Sequence, residues 1–294
     1  MTWWCTGLRW GEGRPELGWY GQGAGRGERA SGLSYGTELA FRAEGERRCL
    51  GVWRGGRRTP CPTAAAVPAR GTRAQCGECA RIDRQYSVAA DTTGDDPRPY
   101  AVYLAWFGPG LVKVGITREE RGPARLYEQG AVAYAWLGQG PLMAARRAEE
   151  LLGAVLKVPD RIPYARKRQV RAALPPRSEW ADELRDCHAR TAGLVGWPES
   201  LERVEFQVAD HAAEFGLGAL RGTTGGVREL VAGGVVAGRL LAAAGPDLHL
   251  APVGGGELVV DTRLMSGWEL SAAQPGAGVS VPVVDLSAVQ GGLF

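Results

Sequence analysis

Val102-Tyr103-Leu104-Ala105-Trp106-Phe107-Gly108-Pro109-Gly110-Leu111-Val112-Lys113-Val114-Gly115-Ile116-Thr117 reads as two apolar strands around a tight Gly-Pro-Gly turn. Each strand carries one polar side chain that a plain hairpin does not need, Tyr103 and Lys113. A phenol inside an apolar strand requires a partner or a reactive role, and the turn between the two residues lets their side chains approach. Arg118, Arg121 and Arg125 follow, and Arg125, in Ala124-Arg125-Leu126-Tyr127, falls at a helical position that can face the sheet.

Outward from this hairpin, residues 100–107 and 111–117 are the strands, 123–129 a short helix and 131–137 a third strand. Residues 141–156 open on a proline and continue in good helix formers, which predicts a long helix carrying Glu149 and Glu150. Further helices are expected at 164–174 and 179–194, so that 100–195 forms a central domain with a helical extension. Residues 86–99 read as a polar, turn-rich linker. Residues 1–48 are β-rich, most clearly at 33–41. Residues 200–294 form a β-rich C-terminal domain with strands at 204–208, 235–241, 257–264 and 281–286. The fold class is α+β, with no internal repeat; both ends being β-rich leaves open that they pair.

Residues 49–85 hold a cysteine cluster, Cys49, Cys61, Cys76 and Cys79, spaced C-x11-C-x14-C-x2-C. Cys76-Gly77-Glu78-Cys79 can place two thiolates on one ion from a single turn. Zn2+ favours four such soft ligands in a tetrahedron, and the ion stabilises a segment with little core of its own. Free thiols and redox or disulfide chemistry are the alternatives; no strand-helix pattern of the thioredoxin kind surrounds the pair. Cys5 and Cys187 stand apart.

The formal net charge is +3, and 32 of the 35 basic residues are arginine, a bias of GC-rich coding against which Lys113 is one of three lysines. Residues 1–200 carry 30 basic and 22 acidic side chains, net +8, and residues 201–294 carry 5 and 10, net −5. The densest basic run spans 157–177 and includes Arg166, Lys167, Arg168 and Arg171, a cluster suited to a phosphate backbone. The other reading of that run is a solvated helix face. The N-terminus has no basic region followed by an apolar one, and no apolar run is long enough for a bilayer, so the expectation is a cytoplasmic protein with no membrane partner.

The order of Tyr, a strand ending in x-Gly, Arg and then Glu resembles the GIY-YIG nuclease superfamily. Val102-Tyr103 is similar to the end of its first motif and Lys113-Val114-Gly115 to the second, with lysine in place of the second tyrosine. The likeness covers about residues 100–160. Together with the upstream cysteines and β-rich flanks, it is similar to a bacterial family of unknown function with a GIY-YIG-like core. The resemblance implies a three-stranded sheet with flanking helices, and a role for each residue. Tyr103 would be the general base or water-orienting group. Lys113 would lower the phenol pKa or hold a phosphate oxygen. Arg125, with Arg121 as the fallback, would stabilise the scissile phosphate. Glu149, with Glu150 second, would hold one Mg2+. The expected function is metal-dependent cleavage of DNA or RNA phosphodiesters. The alternatives are a nucleic-acid-binding module without the chemistry and an enzyme using the same pocket on a small molecule.

Overall fold

The computed structural model describes residues 2–21, 27–54, 56–85, 96–159 and 161–286. The chain folds as two compact units: residues 94–218 form one, and residues 1–93 together with 219–294 form the other.

In the central unit, strands Tyr100–Trp106 and Val112–Arg118 pair antiparallel, from Tyr100 opposite Arg118 to Trp106 opposite Val112. The turn between them is closed by Phe107 N–H on the Leu111 carbonyl at 2.9 Å and Leu111 N–H on the Gly108 carbonyl at 2.8 Å. Every residue of Tyr100–Trp106 is buried, because strand Ala133–Gly140 pairs its other edge and side chains cover both faces. Alternation divides those faces. Trp106 stacks on Trp180 of helix Arg177–Ala192 at 5.7 Å. Tyr103, Ala105 and Phe107 join Leu111, Leu126, Tyr134 and Ile162 in a core on the other side. Glu183 of the same helix ties the hairpin down: its carboxylate accepts the Trp106 indole N–H at 2.6 Å and the Gly110 N–H at 3.1 Å. The expected long helix is Leu142–Leu156, entered from Pro141; Leu142, Ala145, Ala148, Leu152 and Leu156 are buried at helical spacing.

Several boundaries differ from expectation. The sheet has five strands rather than three, because Glu202–Arg203 and Val208–Asp210 both pair with Ala133–Gly140. Residues 200–218 therefore belong to the central unit and not to a C-terminal domain. The helix expected at 164–174 spans Tyr164–Val170. Most of the expected linker, residues 86–95, lies outside the described residues. Asp96, at its end, is buried: it accepts hydrogen bonds from the Arg98 guanidinium and from the Tyr100 hydroxyl at 2.9 Å.

The two terminal regions are one structure. A ten-stranded mixed sheet interleaves them, with Glu38–Glu44 hydrogen-bonded between Val235–Ala244 and Glu269–Ala272, and Trp3–Gly11 beyond Glu269–Ala272. This replaces the expectation of separate N-terminal and C-terminal β-rich domains. The physical reason is the core: Cys5, Leu17, Phe41 and Ala43 from one end pack with Val236, Leu248, Leu250, Val260, Met265 and Trp268 from the other. Neither set covers its apolar face alone. The cysteine segment belongs to the same unit. Arg47, 2 % exposed, ties it in by donating to the carbonyls of Ser266 at 2.7 Å, Pro68 and Gly71 at 2.8 Å, and Arg263 at 2.9 Å.

Candidate functional site

Tyr103 is 1 % exposed, and its oxygen accepts a hydrogen bond from Gln129 Nε2 at 2.7 Å. Burial pushes the phenol pKa up, while Gln129 and Arg125 favour the ionised form and the Glu149 carboxylate opposes it. Burial dominates, so the phenol keeps its proton at neutral pH. Arg125 and Glu149 thus act on one hydroxyl from two different helices, Ala124–Gln129 and Leu142–Leu156. Arg125 also pairs with Glu128 at 3.5 Å, and Arg121 with the same carboxylate at 2.6 Å. Glu149 is half-buried and Glu150 exposed.

Lys113 stands opposite Ala105 and so shares the Tyr103 face of the sheet, diagonal to it. Gly115 stands directly opposite Tyr103, and a Cβ there would run into the phenol ring. The aromatic surroundings come from helix Ala124–Gln129, from the third strand and from the residue after Val208–Asp210. Trp136, opposite Tyr103, meets its ring edge-to-face at 6.1 Å and Tyr134 at 5.3 Å. His211 stacks on Tyr127 at 3.8 Å, and its Nδ1–H donates to the Ala131 carbonyl at 2.9 Å.

The basic run at 157–177 is not one solvated face. Arg166 is exposed and Arg168 half-buried, but Lys167 and Arg171 are 4 % and 2 % exposed. The Lys167 ammonium donates to the Gln129 carbonyl at 2.9 Å and sits 3.7 Å from the centre of the Phe107 ring. Its charge is used inside the unit, fixing helix Tyr164–Val170 against the phenol's partner residue. Of the four residues expected to hold a phosphate backbone, Lys167 and Arg171 are thus buried.

Gln129 belongs to none of the motifs in the sequence. The available signal was its spacing, four residues after Arg125, which puts both on one side of a helical turn. The aromatic group of Tyr127, Tyr134, Trp136 and His211 carried no comparable signal, because its members come from separate elements.

In the unit formed by residues 1–93 and 219–294, Cys49, Cys61, Cys76 and Cys79 converge, with all four Sγ atoms within 4.8 Å of one another. Cys49 and Cys61 stand singly in sequence, yet each sits in a turn that presents sulfur. Cys49 Sγ accepts the N–H of Gly51 at 3.4 Å and of Cys76 at 3.2 Å. Gly51 has φ +78°, and a Cβ there would meet the Thr59 carbonyl and the Cys61 nitrogen, so the close approach of the two turns requires glycine. The Thr63 hydroxyl, 3.4 Å from Cys61 Sγ, holds that thiol down to about 6, whereas burial pushes Cys49 and Cys79 up. Hydrogen bonds from N–H and O–H groups favour thiolates, and several clustered thiolates need a cation. Four converging sulfurs of this kind could hold a metal such as zinc. Among the described residues, no helix is long and apolar enough to cross a membrane.

Compared with known proteins, residues 36–270 match the model of a family described as "Protein of unknown function (DUF2797)". No curated protein and no solved structure matches the chain. The matched residues cover the whole of the central unit, the cysteine module and much of the interleaved sheet. The chain belongs to the DUF2797 family.

Proposed function

We propose that this member of the family cleaves nucleic-acid phosphodiesters with a divalent cation, at the Tyr103 face of the central unit. One observation carries the reading: Lys113 shares the sheet face of the buried Tyr103 phenol, and the charges that act on that phenol are Arg125 and Glu149, from two helices. The likeness of Val102-Tyr103 and Lys113-Val114-Gly115 to GIY-YIG motifs supports the same reading. Arg125 is suited to charge developing on a scissile phosphate. Lys113, on the same sheet face, is suited to a non-bridging oxygen. Mg2+ keeps several of its waters and takes few protein carboxylates, which a single half-buried Glu149 matches. Tyr103 keeps its proton, so its role is to orient a water or a phosphate oxygen by donating a hydrogen bond, not to act as a phenolate base. In the cysteine module we assign the metal as a structural Zn2+.

A second reading, a binding module that retains the scaffold without the chemistry, is favoured by the 1 % exposure of Tyr103. The test is to incubate the purified chain with Mg2+ and labelled single- and double-stranded DNA and RNA. The expected result is cleavage that falls about 100-fold or more in Arg125→Ala, as for other single stabilising groups, and in Glu149→Gln, with unfolding temperatures unchanged. Binding without cleavage by the parent chain would establish the second reading instead.

A further inference from the structure

The cysteine module carries as much net positive charge as the run at 157–177, whose seven basic residues stand against Asp160 alone. Residues 46–85 contain nine arginines against Glu46, Glu78 and Asp83, a net charge of +6 in forty residues. At its centre is Val52-Trp53-Arg54-Gly55-Gly56-Arg57-Arg58-Thr59, with no acidic residue. Strands Val52–Arg54 and Arg57–Thr59 pair antiparallel, which sets Trp53 opposite Arg58 and Arg54 opposite Arg57.

The two sides of this hairpin differ. Val52 packs among the cysteines. At the end of the hairpin, Arg54 and Arg57 are both exposed. Like charges directly across a strand pair destabilise it, and an anion beside them reverses the sign of that contribution. On the other side, Arg58 is fixed: it pairs with Glu28 at 2.6 Å, donates to the Leu50 carbonyl at 3.3 Å, and lies 5.4 Å from the Tyr20 ring centre and 5.2 Å from that of Trp53. Arg9, also paired with Glu28, approaches the Trp53 ring at 5.6 Å. These contacts hold the indole in place, yet Trp53 remains 40 % exposed. Arg54, which also reaches the Ile82 carbonyl at 3.5 Å, is the next residue along the Trp53 strand, and Arg57 is its partner. Exposed guanidinium groups thus flank the fixed, partly open indole in register though not on its face. An unpaired base with its phosphates suits this order, since stacking accepts any base and the cations follow the backbone.

We propose that the strand pair Val52–Arg54 and Arg57–Thr59 binds single-stranded nucleic acid, with a base stacked on Trp53 and the adjoining phosphates on Arg54 and Arg57. A duplex offers no free base face, and an acidic peptide offers charge without a base to stack. Trp53 and Tyr103 belong to different units, and the inference does not rest on cleavage at the Tyr103 face.

The experiment titrates the full chain with fluorescein-labelled poly(dT) in magnesium-free buffer over a range of salt, so that cleavage plays no part. Trp53→Ala is expected to weaken binding about 5- to 150-fold, the range for loss of one stacked base, and Trp53→Phe to recover part of it. Arg54→Ala and Arg57→Ala are each expected to lower the slope of log affinity against log salt by about 0.7. Unchanged unfolding temperatures for Trp53→Phe and Arg57→Ala confirm that the hairpin persists. The inference is overturned if the parent chain does not bind poly(dT) at low salt, if a duplex of equal length binds as tightly, or if Trp53→Ala binds as the parent does. An effect of the arginine variants with none from Trp53→Ala identifies a site for polyanions in general and also overturns it.

Discussion

The ring of Tyr103 lies across Gly115, its direct partner in the adjacent strand, and occupies the space where a side chain at 115 would stand. The glycine is therefore part of the phenol's seat. Gly115→Ala is expected to lower stability by about 1–3 kcal/mol, the range for overpacking a filled core, measured by urea denaturation. Gly153→Ala, on a helix with open space around it, serves as the control and should stabilise by about 0.5–1 kcal/mol. Equal stability of Gly115→Ala and the parent would contradict the seat.

Gln129 holds the phenol oxygen from the other side. Gln129→Leu leaves that buried oxygen without its donor, at an expected cost of about 1–3 kcal/mol. In a Tyr103→Phe background the same substitution should cost much less, because no oxygen remains to satisfy. A double-mutant cycle with no coupling between the two positions would exclude the bond.

Glu183 accepts from both the Trp106 indole and the Gly110 amide. Removing the carboxylate in Glu183→Ala should cost about 2 kcal/mol and increase hydrogen exchange at Gly110 before any other change. Glu183→Gln, which retains one acceptor oxygen, should recover part of the stability. Unaltered exchange at Gly110 in Glu183→Ala would show that the turn holds without the strap.

The four sulfurs predict one zinc per chain by elemental mass spectrometry. Cys76→Ser combined with Cys79→Ser should abolish retention of the ion and lower the unfolding temperature of the unit that holds the cysteines, whereas Cys187→Ser should do neither. A parent chain purified from zinc-containing medium without bound metal would sink the assignment.

His211 is 2 % exposed, and burial pushes its pKa below the usual 6.5 against the opposing pull of the Ala131 carbonyl, Glu214 and Asp210. The unfolded chain then binds a proton more readily than the folded one. This group's contribution is therefore constant well above pH 6.5 and is lost progressively as pH falls below it. Urea midpoints measured from pH 7.5 to pH 5 should decline, and His211→Phe should flatten the slope while losing the bond to Ala131. An identical pH slope in that variant would show that other groups carry the dependence.

The hairpin and the long helix were legible because their signals are local. The apolar strands flank a Gly-Pro-Gly turn, and Pro141 precedes buried residues at helical spacing. The cluster around Tyr103 was legible only in its order, since Gln129 looks like any polar residue until its helix is set against the strand. Burial of Lys167 was illegible, because a basic run reports charge and not the side of the helix on which each charge lies. The cysteine set was half-legible: Cys76 and Cys79 announce a turn, whereas Cys49 and Cys61 acquire meaning only when Gly51 brings their loops together. The partners of Glu38–Glu44 were invisible for a different reason. They lie about two hundred residues away, and alternation within a strand says which face is apolar but not which strand lies beside it.

That separation has a consequence for synthesis. Glu38–Glu44 emerges from the ribosome long before Val235–Ala244 and Glu269–Ala272, the strands that flank it. At about 5–20 residues per second, the first strands wait roughly 10–40 s with their apolar faces and edges open. Residues 94–218 are complete before the wait ends, so the inserted unit can fold while its host is unfinished. The terminal strands are then the stretch of the nascent chain most exposed to wrong pairing or to chaperones, and closure of the large sheet is a late event in the life of each molecule.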